Sequence, residues 1–201
     1  MKDRFDLLYE NSFDPWDYLT SRYEEEKYLT SLKTLPKQNY NRILELGCSI
    51  GVFTDKLASM AKSVYAIDSS TLALKRAKHI CSKHNNIHFI QTKIPYNMPK
   101  LLYKKFDLII LSEFLYYLTP EELQKLAYFI AQCLTSSAHL LLVSYSLPID
   151  EQIQGPQAAE YFCSFLAATN KVSFRQEIYK RKNYQINLLI CKKLCKKLTI
   201  L

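Results

Sequence analysis

Apolar residues in this chain gather in short runs, separated by longer stretches where they recur every three to four positions. The runs near 42–46, 63–67, 87–91, 106–111 and 138–145 read as strands. Between and after them, 52–61, 70–84, 120–134 and 156–169 carry the spacing of amphipathic helices. This alternation predicts a parallel sheet covered by helices on both faces. The end of the chain differs. Val172–Tyr179 and Tyr184–Ile190 flank the short basic stretch Lys180 to Asn183, which predicts an antiparallel hairpin closing the sheet edge. Upstream, the pattern predicts a helix from Trp16 to Leu35, with Asp14 as N-cap, Pro15 in the first turn and Pro36 just past the end. With no repeat, low-complexity tract or linker, the chain reads as one domain: a helical cap (1–36), an α/β core (37–170) and a basic terminal hairpin with its tail (171–201).

Composition narrows the class. A chain of 201 residues, 48% hydrophobic and 23% charged, has the profile of a soluble domain large enough to bury a core. Asp107, Glu113 and Ser144 break the longest apolar stretches well short of the roughly 18 residues of a membrane span. The N-terminus lacks the apolar centre of a signal peptide, so a cytoplasmic location is expected. Six cysteines, at 48, 81, 133, 163, 191 and 195, form no C-x-x-C pair, and the four histidines form no H-E-x-x-H pattern. Free, mostly buried thiols and no metal are expected. The net charge of +8 is concentrated: residues 1–170 hold 18 basic and 18 acidic side chains, whereas nine basic residues from Lys171 onward face Glu177 alone. That segment reads either as a patch for nucleic acid or as a lysine-guarded edge strand with a tail, and the second reading is favoured.

The candidate chemistry starts from glycine. Two of only three glycines, Gly47 and Gly51, follow the first strand and precede a helix. Strand, glycine turn, helix start is a layout that turns backbone N–H groups toward a ligand. The second strand ends in Asp68, placed to accept hydrogen bonds from a ribose diol. The spacing is G-x-x-x-G with Ser49 in the middle, which departs from the dinucleotide fingerprint G-x-G-x-x-G and argues against an oxidoreductase. Ligands in open α/β sheets bind outside the carboxyl ends of the strands. Those ends are Glu45 to Gly51, Asp68, Thr92–Ile94, Ser112–Glu113 and Ser144–Tyr145. A carboxylate at Glu113 either faces the cleft or has a buried partner, because leaving it buried and unpaired is costly.

Residues 45–54 (Glu-Leu-Gly-Cys-Ser-Ile-Gly-Val-Phe-Thr), Asp68 and 106–118 (Phe-Asp-Leu-Ile-Ile-Leu-Ser-Glu-Phe-Leu-Tyr-Tyr-Leu) together resemble the class I S-adenosylmethionine-dependent methyltransferases. Within that class the chain is most similar to the nodulation protein S (NodS) group, whose members N-methylate a glucosamine-derived oligosaccharide. The similarity runs from about residue 11 to 160 and includes Ser21–Glu24, Lys27–Tyr28 and Leu35–Pro36.

The resemblance implies a three-layer Rossmann-like fold: a seven-stranded, mostly parallel sheet, its last strand antiparallel, under an N-terminal helical cover. It implies S-adenosyl-L-methionine as cofactor, with Gly47, Cys48, Ser49 and Gly51 beside its methionine portion and Glu45 near its amino group. Asp68, with Ser69 next to it, would hold the ribose hydroxyls. Thr92, Lys93 and Ile94 would border the adenine, with Ser112 at the end of the fourth strand. Trp16 to Glu24 would cover the site. Glu113 would orient or deprotonate the acceptor, and Tyr117 and Tyr23 would shape its site. The acceptor expected is a small-molecule amine, such as an amino sugar. Nucleic acid is the less favoured partner, because no Asn/Asp-Pro-Pro-aromatic turn follows the fourth strand. A module that binds the cofactor without turnover is the other alternative, since relatives read His-Trp where this chain has Ser144-Tyr145 and carry a glycine-acid segment with a histidine where it has Gly155–Ala159.

Overall fold

The computed structural model describes residues 4–96, 98–103 and 105–194. Seven strands form one sheet in the order β3-β2-β1-β4-β5-β7-β6. They are β1 (Tyr40–Leu46), β2 (Ala61–Asp68), β3 (Ile87–Gln91), β4 (Phe106–Ser112), β5 (Leu134–Tyr145), β6 (Val172–Lys180) and β7 (Tyr184–Lys193). β1 to β5 pair in parallel, and β7 enters antiparallel between β5 and β6. The order reverses between β1 and β4, which opens a crevice at their carboxyl ends. The helices are α1 (Arg4–Asn11), α2 (Arg22–Lys33), α3 (Val52–Ala58), α4 (Thr71–Ile80), α5 (Pro120–Cys133) and α6 (Gly155–Ala168).

Alternation along the central strands divides the core into two layers. Leu44, Leu46, Ile109, Leu111, Leu140 and Leu142 pack with Leu123, Leu126 and Ile130 of α5 and Phe162 and Leu166 of α6. The intervening residues Ile43, Leu108, Ile110, Leu141 and Val143 face the other way, with Tyr28 of α2 and Phe53 and Leu57 of α3. Asp107 interrupts an apolar strand but is satisfied by the amides of Asn41 and Arg42, at 2.8–3.1 Å. α5 begins where its sequence dictates: Thr119 and Glu122 form a reciprocal capping box and Pro120 occupies the first turn.

The N-terminal region departs from the sequence expectation. The helix begins at Arg22, not near Trp16, and its N-cap is Ser21, whose side chain accepts from Glu24 N. Asp14 caps a turn instead, accepting from Leu19 N at 2.8 Å. Asp17 adopts a left-handed φ of 57° and its carbonyl takes the amides of Thr20 and Ser21, so the chain turns here before the helix starts. A further helix, α1, precedes it, so the cap has two helices where one was expected. β5 also starts earlier than expected, running directly out of α5 at Leu134.

Among the described residues no helix is long and apolar enough to cross a membrane. Among them, too, no group of three or more His, Cys, Asp or Glu side chains could hold a metal ion. Cys48, Cys81, Cys133, Cys163 and Cys191 are free and buried; Cys195 and the tail lysines beyond it lie outside the described residues. The terminal basic residues split between the two ends of the hairpin. Lys180 to Lys182 lie at the crevice end, beside the Tyr145–Tyr184 pair, and Lys192 and Lys193 at the opposite end, beside Ser173 and Val172.

Candidate functional site

The loop after β1 is shaped by three left-handed residues: Gly47 (φ 78°), Ser49 (φ 51°) and Gly51 (φ 86°). Its amides point inward. Gly47 N and Cys48 N both donate to Ile67 O at 2.8 Å, and Gly51 N donates to Cys48 O at 3.0 Å. Ser49 N donates to Asp68 Oδ2 at 2.8 Å and Ser70 N to Asp68 Oδ1 at 2.9 Å. These four loop amides are therefore engaged with the protein itself, contrary to the expectation that the loop turns free donors to a ligand. They fasten the loop to β2 and set its backbone as a wall. Gly51 has its own reason: a Cβ there would meet Ala77 Cβ at 2.9 Å, so the residue lets α4 pack close and takes no part in a cavity wall.

Above this loop lies a cavity of about 260 Å³. Gly47, Ser49, Asp68, Ser69, Thr92, Lys93, Ile94, Ser112, Glu113 and Tyr117 line it, so ten of the residues singled out from sequence come together. Burial is the main cause pushing the Asp68 carboxyl up to about 6, against the opposing effect of the amides it accepts. The remaining wall comes from the cap. Phe5, Tyr9, Trp16 and Tyr18 close the cavity, and Phe114, Leu118 and Glu122 complete it. Tyr9 OH donates to Ser49 Oγ at 2.6 Å, and Phe5 meets Tyr117 edge-on at 5.1 Å. Arg76 of α4 holds the segment in place, donating to the carbonyls of Tyr9, Ser12 and Phe13 at 2.6–3.0 Å. None of the cap aromatics before Trp16 was anticipated. The signal was present: Phe5 and Tyr9 are spaced i, i+4, on one face of a helix.

Glu45 and Cys48 sit behind the loop, on a small cavity of about 20 Å³ that shares Gly47, Ser49, Tyr18, Ser112 and Glu113 with the larger one. Glu45 is 3% exposed and accepts from Thr54 Oγ1 at 2.6 Å. Burial, reinforced by nearby Asp68 and opposed by the Thr54 bond, pushes its carboxyl up to about 8.

Glu113 carries three donors. Lys27 Nζ lies 2.7 Å from Oε1, and Tyr116 OH and Tyr145 N donate to Oε2, each at 2.8 Å. Lys27, only 2% exposed, also pairs with Glu24 at 2.9 Å. Glu113 thus ties α2, β4 and β5 together, which meets the requirement that a buried carboxylate find a partner. It sits in the left-handed region (φ 51°), a strain concentrated at the strand end that the crevice uses. The sequence expectation for Glu113 was to orient or deprotonate an acceptor; its carboxylate lines the cavity and is engaged by three protein donors.

Tyr23 is not on the first cavity. It lines a second one, of about 370 Å³, with Trp16, Tyr18, Glu24, Lys27, Glu113, Tyr116, Tyr117, Tyr145, Ile149, Asp150 and Glu151. Burial first, then the carboxylates of Glu113 and Glu24, raises the Tyr23 phenol well above its ordinary value, so it stays neutral. Gly155, at the start of α6, allows the helix to seat against the end of β5: a Cβ there would collide with Tyr145 O.

The family model for Nodulation protein S (NodS) matches residues 4–153. Nodulation protein S of Sinorhizobium fredii (strain NBRC 101917 / NGR234) is 32% identical over 106 residues, 52% of this chain and 48% of that protein. Phosphoethanolamine N-methyltransferase 1 of Zea mays is 30% identical over 110 residues, 55% of this chain and 22% of that protein. The matched region thus spans about half the length, or less, of these relatives. Among solved structures, N-methyltransferase NodS from Bradyrhizobium japonicum WM9 in complex with S-adenosyl-l-homocysteine superposes with a TM-score of 0.73 at 21% identity, over 94% of this chain and 98% of that one. That likeness is one of fold. With the sheet order, the glycine loop and the family model in agreement, the chain belongs to the Nodulation protein S (NodS) family.

Proposed function

We propose that this chain is an S-adenosylmethionine-dependent methyltransferase acting on a small-molecule amine. The observation that carries the reading is the cavity at the switch point, where Asp68 stands beside Gly47 and Ser49 under an aromatic cover. Its walls fit the cofactor. Asp68 accepts from Ser49 N of the glycine loop and from Ser70 N at the start of α4, and keeps lone pairs for a ribose diol. Ser69, Thr92, Lys93 and Ile94 form the side where an adenine would lie, and Ser112 the side of the amino-acid portion. Glu45, behind Gly47, would receive the amino group. When bound, the cofactor supplies an electrophilic methyl group on sulfur.

The chain's own residues supply position and dryness. The cap aromatics exclude water from the first cavity. Glu113, held by three donors, fixes the boundary between the two cavities, and Tyr117 lines both. An amine must lose its proton before it attacks. Glu24, which lines the second cavity and pairs with Lys27, is the carboxylate placed to receive it, and burial raises its carboxyl above the ordinary range against the pull of Lys27. The names of the matched phosphoethanolamine N-methyltransferases and of N-methyltransferase NodS support nitrogen as the atom methylated, and the resemblance to the nodulation group suggests an amino sugar as the acceptor. Calorimetric titration with S-adenosylmethionine, S-adenosylhomocysteine and NAD should show binding of the first two only. Release of S-adenosylhomocysteine should then appear with an amine from an acceptor panel. Binding of NAD in preference to the others would overturn the reading.

A further inference from the structure

The second cavity has a chemistry of its own. Aromatic rings from the cap (Trp16, Tyr23) and from β5 (Tyr145) wall it, and four carboxylates face its one ammonium. That ammonium, Lys27, is already neutralised by Glu24 and Glu113. Two buried polar atoms on this wall lack hydrogen bonds. Tyr23 OH has no partner among the described residues, and Glu24 Oε2, although 2.9 Å from Lys27 Nζ, accepts none in good geometry. The Tyr23 ring already faces a cation, with Lys27 Nζ 5.2 Å from its centre. Asp150, exposed, and Glu151, half-buried, stand on the loop between β5 and α6.

Aromatic faces attract cations through their quadrupole, and nearby carboxylates add to that attraction. The same carboxylates repel a phosphate, which carries up to two negative charges and needs more than the Tyr23 hydroxyl and an ammonium already shared by two carboxylates. We propose that the second cavity is the acceptor site and that it selects a cationic amine bearing no anionic group close to the nitrogen. This rests on the methyltransferase reading, since the two cavities share Trp16, Tyr18, Glu113 and Tyr117. It goes further in excluding acceptors of the phosphoamine class. The basic turn at Lys180 to Lys182 lies at the same end of the sheet and is the feature that would serve a phosphate instead.

Trp16 is the chain's single tryptophan and lines both cavities, so its fluorescence reports binding without turnover. The full chain is titrated with choline, with phosphocholine and, separately, with S-adenosylhomocysteine. The proposal expects saturable quenching by choline, with phosphocholine weaker by about tenfold or more. The double variant Asp150→Asn, Glu151→Gln, altered only on a surface loop, should weaken choline binding and leave S-adenosylhomocysteine binding intact. Phosphocholine binding as tightly as choline overturns the proposal and assigns recognition to the basic turn. Choline binding undiminished in the double variant overturns it as well. Silence toward choline alongside normal S-adenosylhomocysteine binding overturns the acceptor-site proposal alone, whereas silence toward both overturns the methyltransferase reading with it.

Discussion

Glu45 offers the most informative single perturbation. Its carboxyl is buried behind the glycine loop, accepts a hydrogen bond from Thr54, and is pushed up to about 8. Near pH 7 the carboxyl of the cofactor-free protein therefore mostly carries a proton. Two consequences follow, with signs fixed by linkage. The folded chain binds this proton more tightly than the unfolded chain, whose carboxyl has the ordinary value of 4.5. The associated stability is complete below pH 4.5 and is lost as pH rises through 8. At about 1.36 kcal/mol per tenfold change in proton affinity, the whole effect is at most about 5 kcal/mol. Asp68 adds a smaller contribution of the same sign, lost between 3.8 and about 6. Denaturant unfolding of the cofactor-free protein from pH 5 to 9 should show stability falling with pH, and Glu45→Gln should flatten the part of the slope above pH 6. The second consequence concerns binding. An amino group arriving at Glu45 favours the carboxylate, so S-adenosylhomocysteine should expel close to one proton at pH 7 and bind more tightly as pH approaches 8. Calorimetry in buffers of different ionisation enthalpy measures that proton directly. 5′-Methylthioadenosine, which lacks the amino-acid portion, should expel none. An unchanged pH slope in Glu45→Gln, or no proton release with S-adenosylhomocysteine, refutes this placement of Glu45.

Four further outcomes are expected. Lys27→Met leaves Glu24 and Glu113 buried without their cation and should cost about 3–5 kcal/mol in chemical denaturation, whereas Glu113→Gln, which leaves Lys27 paired with Glu24, should cost about 1–3 kcal/mol. If Glu113 fastens and does not abstract protons, the pH profile of turnover in Glu113→Gln should keep its shape. Arg76→Met removes three hydrogen bonds to the segment around Tyr9 and should speed proteolysis within the first 13 residues and weaken S-adenosylhomocysteine binding, both read on the same preparation. Gly51→Ala combines a left-handed φ of 86° with a contact to Ala77 at 2.9 Å, and should lower stability by about 2–4 kcal/mol without altering which ligands bind.

Much of the fold was legible because each central strand announces itself as an apolar run and each helix by its period. The terminal hairpin was an equally direct signal. The cap was misread for a local reason. Asp14-Pro15 is a sound helix opening by sequence, yet Asp17 takes a left-handed turn and the helix waits for Ser21. Ser21, not Asp14, caps the helix, its side chain accepting from Glu24 N three residues on. The loop's chemistry was less legible. Glycines at 47 and 51 look alike in sequence, but one walls a cavity and the other admits α4, a distinction set by Ala77, 26 positions away from Gly51. Lys27 and Glu113 are 86 residues apart, and nothing local to either names the other.

The shared walls carry one more argument. Trp16, Tyr18, Glu113 and Tyr117 belong to both cavities, and the first two come from the turn that precedes α2. That turn is held by Asp14 and by the segment that Arg76 fastens to α4. A ligand that orders this turn from one side orders a wall for a ligand on the other, so filling either cavity lowers the cost of filling its neighbour. Linkage makes the effect reciprocal: whatever factor S-adenosylhomocysteine adds to choline affinity, choline must add to that of S-adenosylhomocysteine. The cap is then more than a cover. On the proposed function it would couple the methyl donor's site to the acceptor's, and Arg76→Met should then diminish the coupling factor itself, beyond its effect on either affinity alone.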